Sequence, residues 1–156
     1  TAVELATINI CNGPIIFMRY QGKYRPSFPR KYRGDVRNIV YRSSWEYKFM
    51  KWCDVTPTVT EWGSEEIVIP YISPVDGKRH RYFPDFYVKV GKKKYIVEVK
   101  PFRQTLEPKT QKRVTKRYIN EVVTYSVNQA KWKAAREFCK DNSLEFMLIT
   151  EKELKV

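Results

Sequence analysis

Two apolar stretches that alternate like β-strands, residues 81–90 and 95–100, constrain the fold of this chain more than any other feature. Only a short basic turn separates them, so we expect antiparallel neighbours in one sheet. Because successive side chains point to opposite faces, Glu98 and Lys100 share one face of the second strand. The spacing places Asp85, on the first strand, nearly opposite Glu98. The pattern therefore predicts two carboxylates and a lysine in one cleft.

Phosphodiester hydrolysis is the chemistry that best suits such a group. Carboxylate oxygens are the ligands preferred by Mg²⁺ and Mn²⁺, and a bound metal stabilises charge on the scissile phosphate. A neighbouring lysine can orient the attacking water and oppose the phosphate charge. The alternative is an ordinary cross-strand ion pair between Glu98 and Lys100, which would stabilise the sheet by roughly 0.2–1 kcal/mol.

The composition narrows the class of partner. Thirty Lys and Arg residues face 17 Asp and Glu, which gives a formal net charge of +13 among 156 residues. Such a surface attracts a polyanion, and nucleic acid is the commonest one. Three scattered cysteines and a single histidine make a disulfide framework or a structural zinc site very poor fits. We therefore expect DNA as partner, Mg²⁺ (or Mn²⁺) as cofactor, no membrane span and no small-molecule cofactor.

The remaining patterns predict an α/β (α+β) fold. A serine at 43 or 44 can cap a helix whose apolar face includes Trp45 and Phe49. A β-branched stretch at 66–72 predicts the first strand of a three-stranded antiparallel meander that continues through 81–90 and 95–100. A second helix is expected over 122–141 and a further strand over 144–149.

Three segments are expected along the chain. Residues 1–17 carry one charge and no basic residue, and are interpreted as an upstream extension or an arm. Residues 18–42 are rich in basic and aromatic side chains, and are predicted to form an arm whose rings anchor it to the domain or stack on bases. Residues 43–156 would form the nuclease-like domain.

The Pro84-Asp85 and Glu98-Val99-Lys100 motifs together resemble the signature of the PD-(D/E)xK nuclease superfamily, which has a restriction-endonuclease-like core. The helix segment 41–49 is similar to the first-helix motif of the TnsA-like and T4-type phage branch. The strings at 81–87 and 97–101 resemble those of phage head-completion nucleases. The resemblance covers about residues 19–156.

The resemblance implies roles for individual residues. Asp85 and Glu98 would bind the metal, with the Val99 carbonyl as a third oxygen and Glu46 as an additional acid. Lys100 would position water or phosphate, and Gln129 would approach the site from the second helix. Candidate phosphate contacts are Arg42, Arg79, Arg81, Arg103, Lys109, Lys112 and Lys133.

The implied activity is a metal-dependent DNA endonuclease that acts on packaged DNA while a phage head is finished. The further partners of the protein would be phage head and portal-neck proteins. It would be located in the cytoplasm of the infected bacterium, and retention in the virion is an additional expectation. Two alternatives stay open. One is a structural head or neck protein that grips DNA with an idle site, and the other is a TnsA-like or repair nuclease that works with a partner protein.

Overall fold

A computed structural model describes residues 21–154, and the predicted upstream segment 1–17 lies outside them. The strands are β1 (Gly22–Lys23), β2 (Val40–Tyr41), β3 (Val59–Ser64), β4 (Ile69–Ile72), β5 (Arg79–Tyr82), β6 (Phe86–Val90), β7 (Lys93–Val99) and β8 (Glu145–Ile149). The α-helices are α1 (Ser44–Val55), α2 (Lys116–Asp141) and α3 (Glu151–Leu154), and short 3₁₀ turns occur at Pro29–Lys31 and Phe102–Thr105. Within the described range, no helix is long and apolar enough to cross a membrane.

A four-stranded sheet in the order β3-β6-β7-β8 forms the centre of the fold. β3, β6 and β7 are antiparallel, whereas β8 joins β7 in parallel after the crossover through α2. The expected order of helix, meander, helix and strand is therefore confirmed, and with it the α+β fold class.

The first strand of the meander differs from the predicted one. It is β3, whose Val59 and Trp62 are buried in the core, and not the stretch at 66–72. That stretch contributes β4, which pairs with β5 in a separate two-stranded ribbon. The predicted strand over 81–90 is divided at Pro84, because proline has no backbone N–H to donate to a ladder. The chain thereby leaves the ribbon and enters the main sheet next to Asp85.

Each face of the sheet is covered by one long helix. α1 packs Phe49, Met50 and Cys53 against the face that carries Val97 and Val99. It begins where the Ser43 hydroxyl accepts a hydrogen bond from the Glu46 N–H, and it ends before Pro57, which disfavours a helical residue in front of it.

The opposite face is covered by α2. This 26-residue helix begins at Lys116, earlier than the predicted 122. Its buried side includes Trp132 and Ala135, which pack against the ribbon residues Ile69, Tyr71 and Tyr82. The ribbon is thus held between α2 and the end of the sheet that carries Glu98.

The segment predicted as a basic arm packs onto the domain over its described part, residues 21–42. β1 pairs with β2, and the rings of Tyr24 and Tyr32 are buried in the main core. The carboxylate of Asp54, at the end of α1, accepts hydrogen bonds from the Tyr24 hydroxyl at 2.8 Å and from the backbone N–H groups of Ser27 at 2.7 Å and Phe28 at 2.9 Å. A buried anion on α1 therefore anchors this segment.

Candidate active site

Asp85 and Glu98 lie at the same end of neighbouring strands, as the alternation predicts. The Val99 N–H donates to Asp85 Oδ2 at 2.8 Å, and the Asp85 N–H donates to Glu98 Oε2 at 3.3 Å. Each carboxylate is therefore fixed by a backbone N–H belonging to the other motif. Phe86 pairs with Val97 in the ladder, so the register places Asp85 directly beside the strand end that carries Glu98.

The electrostatics of the pair are unfavourable in the absence of a cation. Burial and the nearby charge of Glu98 raise the pKa of Asp85 well above its ordinary value, and the hydrogen bond from Val99 opposes this only in part. Glu98 is only 4% exposed. Two acids held this close favour the binding of a positive charge between them.

Lys100 supplies a cation at the edge of the pair. Its Nζ lies 3.4 Å from Glu98 Oε1, and about a third of its side chain remains exposed. Since the Val99 N–H faces Asp85, the Val99 carbonyl faces the same edge of the strand, where it can serve as an additional oxygen ligand. Lys100 instead turns its N–H toward β8, where it donates to the Ile149 carbonyl at 2.9 Å.

Glu46 approaches the site from the first turn of α1. Its Oε2 accepts a hydrogen bond from the Arg42 N–H at 2.8 Å, and burial raises its pKa. The Arg42 guanidinium forms an ion pair with Glu65 at 2.5 Å. Arg42 is therefore engaged within the protein through both its backbone N–H and its guanidinium, and its contact with phosphate stays a prediction.

The acids do not form a closed metal cage. Among residues 21–154, no three His, Cys, Asp or Glu side chains are close enough together to hold a metal ion. Asp85 and Glu98 are an open pair, with Glu46 nearby. An open pair suits Mg²⁺, which keeps several waters and is usually bound by one or two carboxylates together with substrate phosphate.

Tyr82 is a member of the site that the sequence analysis missed. Its hydroxyl donates to Glu98 Oε2 at 2.6 Å, and the side chain is only 3% exposed. Burial and the charge of Glu98 raise the pKa of this phenol, so it remains a donor. A signal for Tyr82 was present in the sequence, because Tyr82 is the one hydrophobic residue in an otherwise polar and basic strand and strand alternation can turn it inward.

The other predicted residues are distributed over β5, α2 and the segment that joins β7 to α2. Gln129 is partly exposed on α2 and makes no hydrogen bond to the acidic pair among the residues the structure describes. Arg79 and Arg81 are exposed on β5, and Lys112 and Lys133 are exposed elsewhere. Two more basic side chains line a cleft of about 770 Å³ between the loop after β7 and the start of α2, namely Arg103 and Lys109.

Comparison with known proteins gives consistent results. The family described as TnsA-like endonuclease N terminal matches residues 56–151. The head completion nuclease of Enterobacteria phage T4 is 41% identical over 143 residues, which cover 88% of this chain and 95% of that protein. No solved structure matches. The matched region contains the ribbon, the sheet and both strands that carry the acidic pair, and so the chain belongs to the TnsA-like endonuclease family, with a phage nuclease as its relative.

Proposed function

We propose that this protein is a Mg²⁺- or Mn²⁺-dependent DNA endonuclease whose metal is held by Asp85 and Glu98. The observation that carries the proposal is the mutual fixing of these carboxylates by the Val99 and Asp85 N–H groups. That arrangement keeps two like charges together, although burial and repulsion raise the pKa of Asp85. A hard divalent cation would relieve the repulsion, and the oxygen donors present suit one.

The residues around the pair divide the remaining work. A bound metal would supply Lewis acidity, which stabilises the charge that develops on the phosphate oxygens. Lys100, beside Glu98, would orient the attacking water and oppose negative charge on the phosphate. Glu46 would contribute a further carboxylate at the edge of the site. Hydrolysis joins the water oxygen to phosphorus and releases one sugar oxygen as a hydroxyl.

Cleavage of plasmid and linear DNA tests this proposal, with about 5–10 mM Mg²⁺ to saturate a weak carboxylate site. Wild type should cut, and EDTA should abolish cutting. Asp85→Asn and Lys100→Met should bind DNA normally, because neither residue provides the bulk of the positive field. Both variants should cut at least about 100-fold more slowly. Asp141→Asn makes the same chemical change on an exposed helix end and should behave as wild type. Full activity of Asp85→Asn would contradict the proposal.

We also propose that the chain acts on packaged DNA during completion of a phage head. The support is its 41% identity to a phage protein of that name over nearly the whole of both chains. One specific role is the trimming of protruding DNA before the neck or tail joins. Head and portal-neck proteins would then be its partners, the infected bacterium its location, and the virion a place where it can be retained.

Phage particles made with the Asp85→Asn allele separate this role from a structural one. If trimming matters, DNA-filled heads should accumulate with overhanging ends, and infectious yield should fall at least about 10-fold. If the protein only grips DNA at the neck, yield should be unchanged, and the proposed nuclease role in assembly would be wrong. Quantitative mass spectrometry of purified virions tests retention in the same preparation.

A further inference from the structure

The ribbon of β4 and β5 has two faces with different chemistry. In its register, Ile69 pairs with Tyr82 and Tyr71 with His80, and the tyrosines and Ile69 pack against α2. The intervening pairs point the other way. We call this second set the outer ribbon face; its members are Pro70, Ile72, Arg79, Arg81 and, just beyond β5, Phe83.

The outer ribbon face is exposed and carries both basic and large apolar side chains. Ile72 is 60% exposed and Phe83 is 43% exposed. The Arg81 guanidinium carbon lies over the Phe83 ring, 5.8 Å from its centre. Neither Arg79 nor Arg81 forms an ion pair with any residue between 21 and 154, and the face contains no acid. Two arginines without an acidic partner, flanked by apolar side chains, suit a polyanion that also presents apolar groups.

The same strand contacts the candidate active site through its inner face. Tyr82, on the inner face of β5, donates to Glu98, while its neighbours Arg81 and Phe83 point outward. Phe83 precedes Asp85 by only two residues, a distance of about 7 Å along an extended chain. A ligand that covers the outer ribbon face and extends past Phe83 therefore reaches the chain end at Asp85.

We propose that the outer ribbon face docks into the major groove of duplex DNA and sets the duplex against Asp85 and Glu98. This inference rests on the proposed nuclease function and specifies how the substrate is held. The major groove, about 12 Å wide, admits a two-stranded β-ribbon. Arg79 and Arg81 contact phosphates or guanine edges, while Ile72 and Phe83 make apolar contacts such as those available at thymine methyl groups.

Charge favours DNA over a protein partner. An apolar protein surface would remove water from both arginines without offering a counter-ion, and such desolvation is costly. Each DNA strand instead presents phosphates along the groove. The apolar members also distinguish groove docking from simple attraction. Lysines alone would suffice for contact with the backbone, but Ile72 and Phe83 have favourable contacts only if the bases come within reach.

The test compares two double variants that each remove two positive charges from an exposed hairpin. Arg79→Ala/Arg81→Ala alters the outer ribbon face. Lys92→Ala/Lys93→Ala alters the turn between β6 and β7, at the end of those strands opposite Asp85 and roughly 17 Å from Glu98 along β7. Binding to a 30-base-pair duplex (about three helical turns) is measured by fluorescence anisotropy in EDTA, so that cleavage plays no part.

The ribbon variant should bind at least about 10-fold more weakly, and its slope of log K against log salt should fall by up to about 1.8, since two phosphate contacts each account for about 0.9. The lysine variant should lose less than about 3-fold. Ile72→Ser should weaken binding to the duplex more than binding to the matching single strand. Equal losses for both double variants, or wild-type duplex binding by the ribbon variant, would overturn the inference in favour of a diffuse basic surface or a protein partner.

Failure of the inference and failure of the nuclease function give different results. If wild type binds the duplex through the ribbon but does not cut it with Mg²⁺, the proposed function fails and the docking face stands. If wild type cuts and the ribbon variant binds and cuts equally well, the docking face fails and the nuclease stands. The melting temperature of each variant shows whether it remains folded, which its exposed positions predict.

Discussion

The Tyr82 hydroxyl donates a 2.6 Å hydrogen bond to Glu98 Oε2, and both side chains are almost fully buried. One carboxylate oxygen of Glu98 is thereby held toward the ribbon, while Oε1 faces Lys100. Partners of this kind orient metal ligands, and their loss typically costs 10–100-fold in metal affinity or activity. If Glu98 binds the proposed metal, Tyr82 would be a positioning residue that acts through Glu98.

Removal of this hydroxyl should weaken metal binding more than it weakens the fold. Tyr82→Phe should lower both the affinity for Mn²⁺ and the cleavage rate by roughly 10-fold or more. Tyr71→Phe is the matched control, because Tyr71 lies on the same face of the ribbon without donating to the acidic pair. Calorimetric titration with Mn²⁺ provides the measurement, and equal affinities for the two variants would contradict the positioning role.

Asp85 should make the metal-free protein less stable at neutral pH than its asparagine variant. Its pKa in the folded chain is raised by burial and by Glu98, whereas the unfolded value is near 3.9. Between these two values the folded chain holds a proton that the unfolded chain has released, so the free energy of unfolding falls as pH rises. Asparagine avoids this penalty and can still accept the hydrogen bond from Val99.

In EDTA at pH 8, Asp85→Asn should thus melt at least about 2 °C above wild type, which corresponds to roughly 0.5–1 kcal/mol or more in a domain of this size. At about pH 3, below the unfolded pKa of about 3.9, the difference should vanish, because Asp85 is protonated in both the folded and the unfolded chain. Saturating Mn²⁺ should reverse the order at pH 8, because ligand binding stabilises only the chain that binds it. A lower melting temperature for the variant in EDTA would show that the pair is not under electrostatic strain.

Glu46 has two separable roles, one as acceptor for the Arg42 N–H and one as a charge near the acidic pair. Glutamine keeps an acceptor oxygen and removes the charge. Glu46→Gln should therefore melt within about 2 °C of wild type and cut at least about 10-fold more slowly. Glu65→Gln, which only weakens an exposed ion pair with Arg42, should be nearly silent in both measurements. Unchanged cleavage by Glu46→Gln would reduce Glu46 to its hydrogen-bonding role.

Asp54 should be a sensitive position outside the site. It is fully buried and accepts hydrogen bonds from Tyr24, Ser27 and Phe28. Asp54→Ala leaves these donors without a partner and should lower the free energy of unfolding by roughly 2 kcal/mol or more. Urea denaturation measures the loss, and limited proteolysis should then cut within residues 21–31 first.

Asp35→Ala is the comparison for this variant. Asp35 forms an exposed ion pair with Arg37, and solvent screening leaves such a pair with little effect on stability. If Asp54→Ala were no more destabilised than Asp35→Ala, the segment 21–42 would not be anchored through α1.

Local patterns were enough to predict the acidic pair and both long helices. Alternation places Glu98 and Lys100 on one face, and the spacing from Asp85 fixes the register of two strands joined by a short turn. The Ser43 cap is equally local, since a side chain and a backbone N–H three residues later form it. In each case the interacting residues are close in sequence or joined by one hairpin.

Long-range pairing accounts for what the sequence analysis missed. Both 59–64 and 66–72 have strand-like composition, and the choice between them as partner of β6 depends on tertiary packing, in which Trp62 is completely buried. The role of Tyr82 required knowledge that the ribbon folds back over Glu98. Burial of Tyr24 likewise depends on Asp54, thirty residues away.

Calorimetric titration of Mn²⁺ into wild type, Asp85→Asn and Asp141→Asn without DNA tests the proposed metal centre itself. We expect one saturable site in wild type and in Asp141→Asn, and its loss or a weakening of at least about 10-fold in Asp85→Asn. Undiminished binding by Asp85→Asn, or no binding by wild type at millimolar metal, would contradict a metal centre built on Asp85 and Glu98.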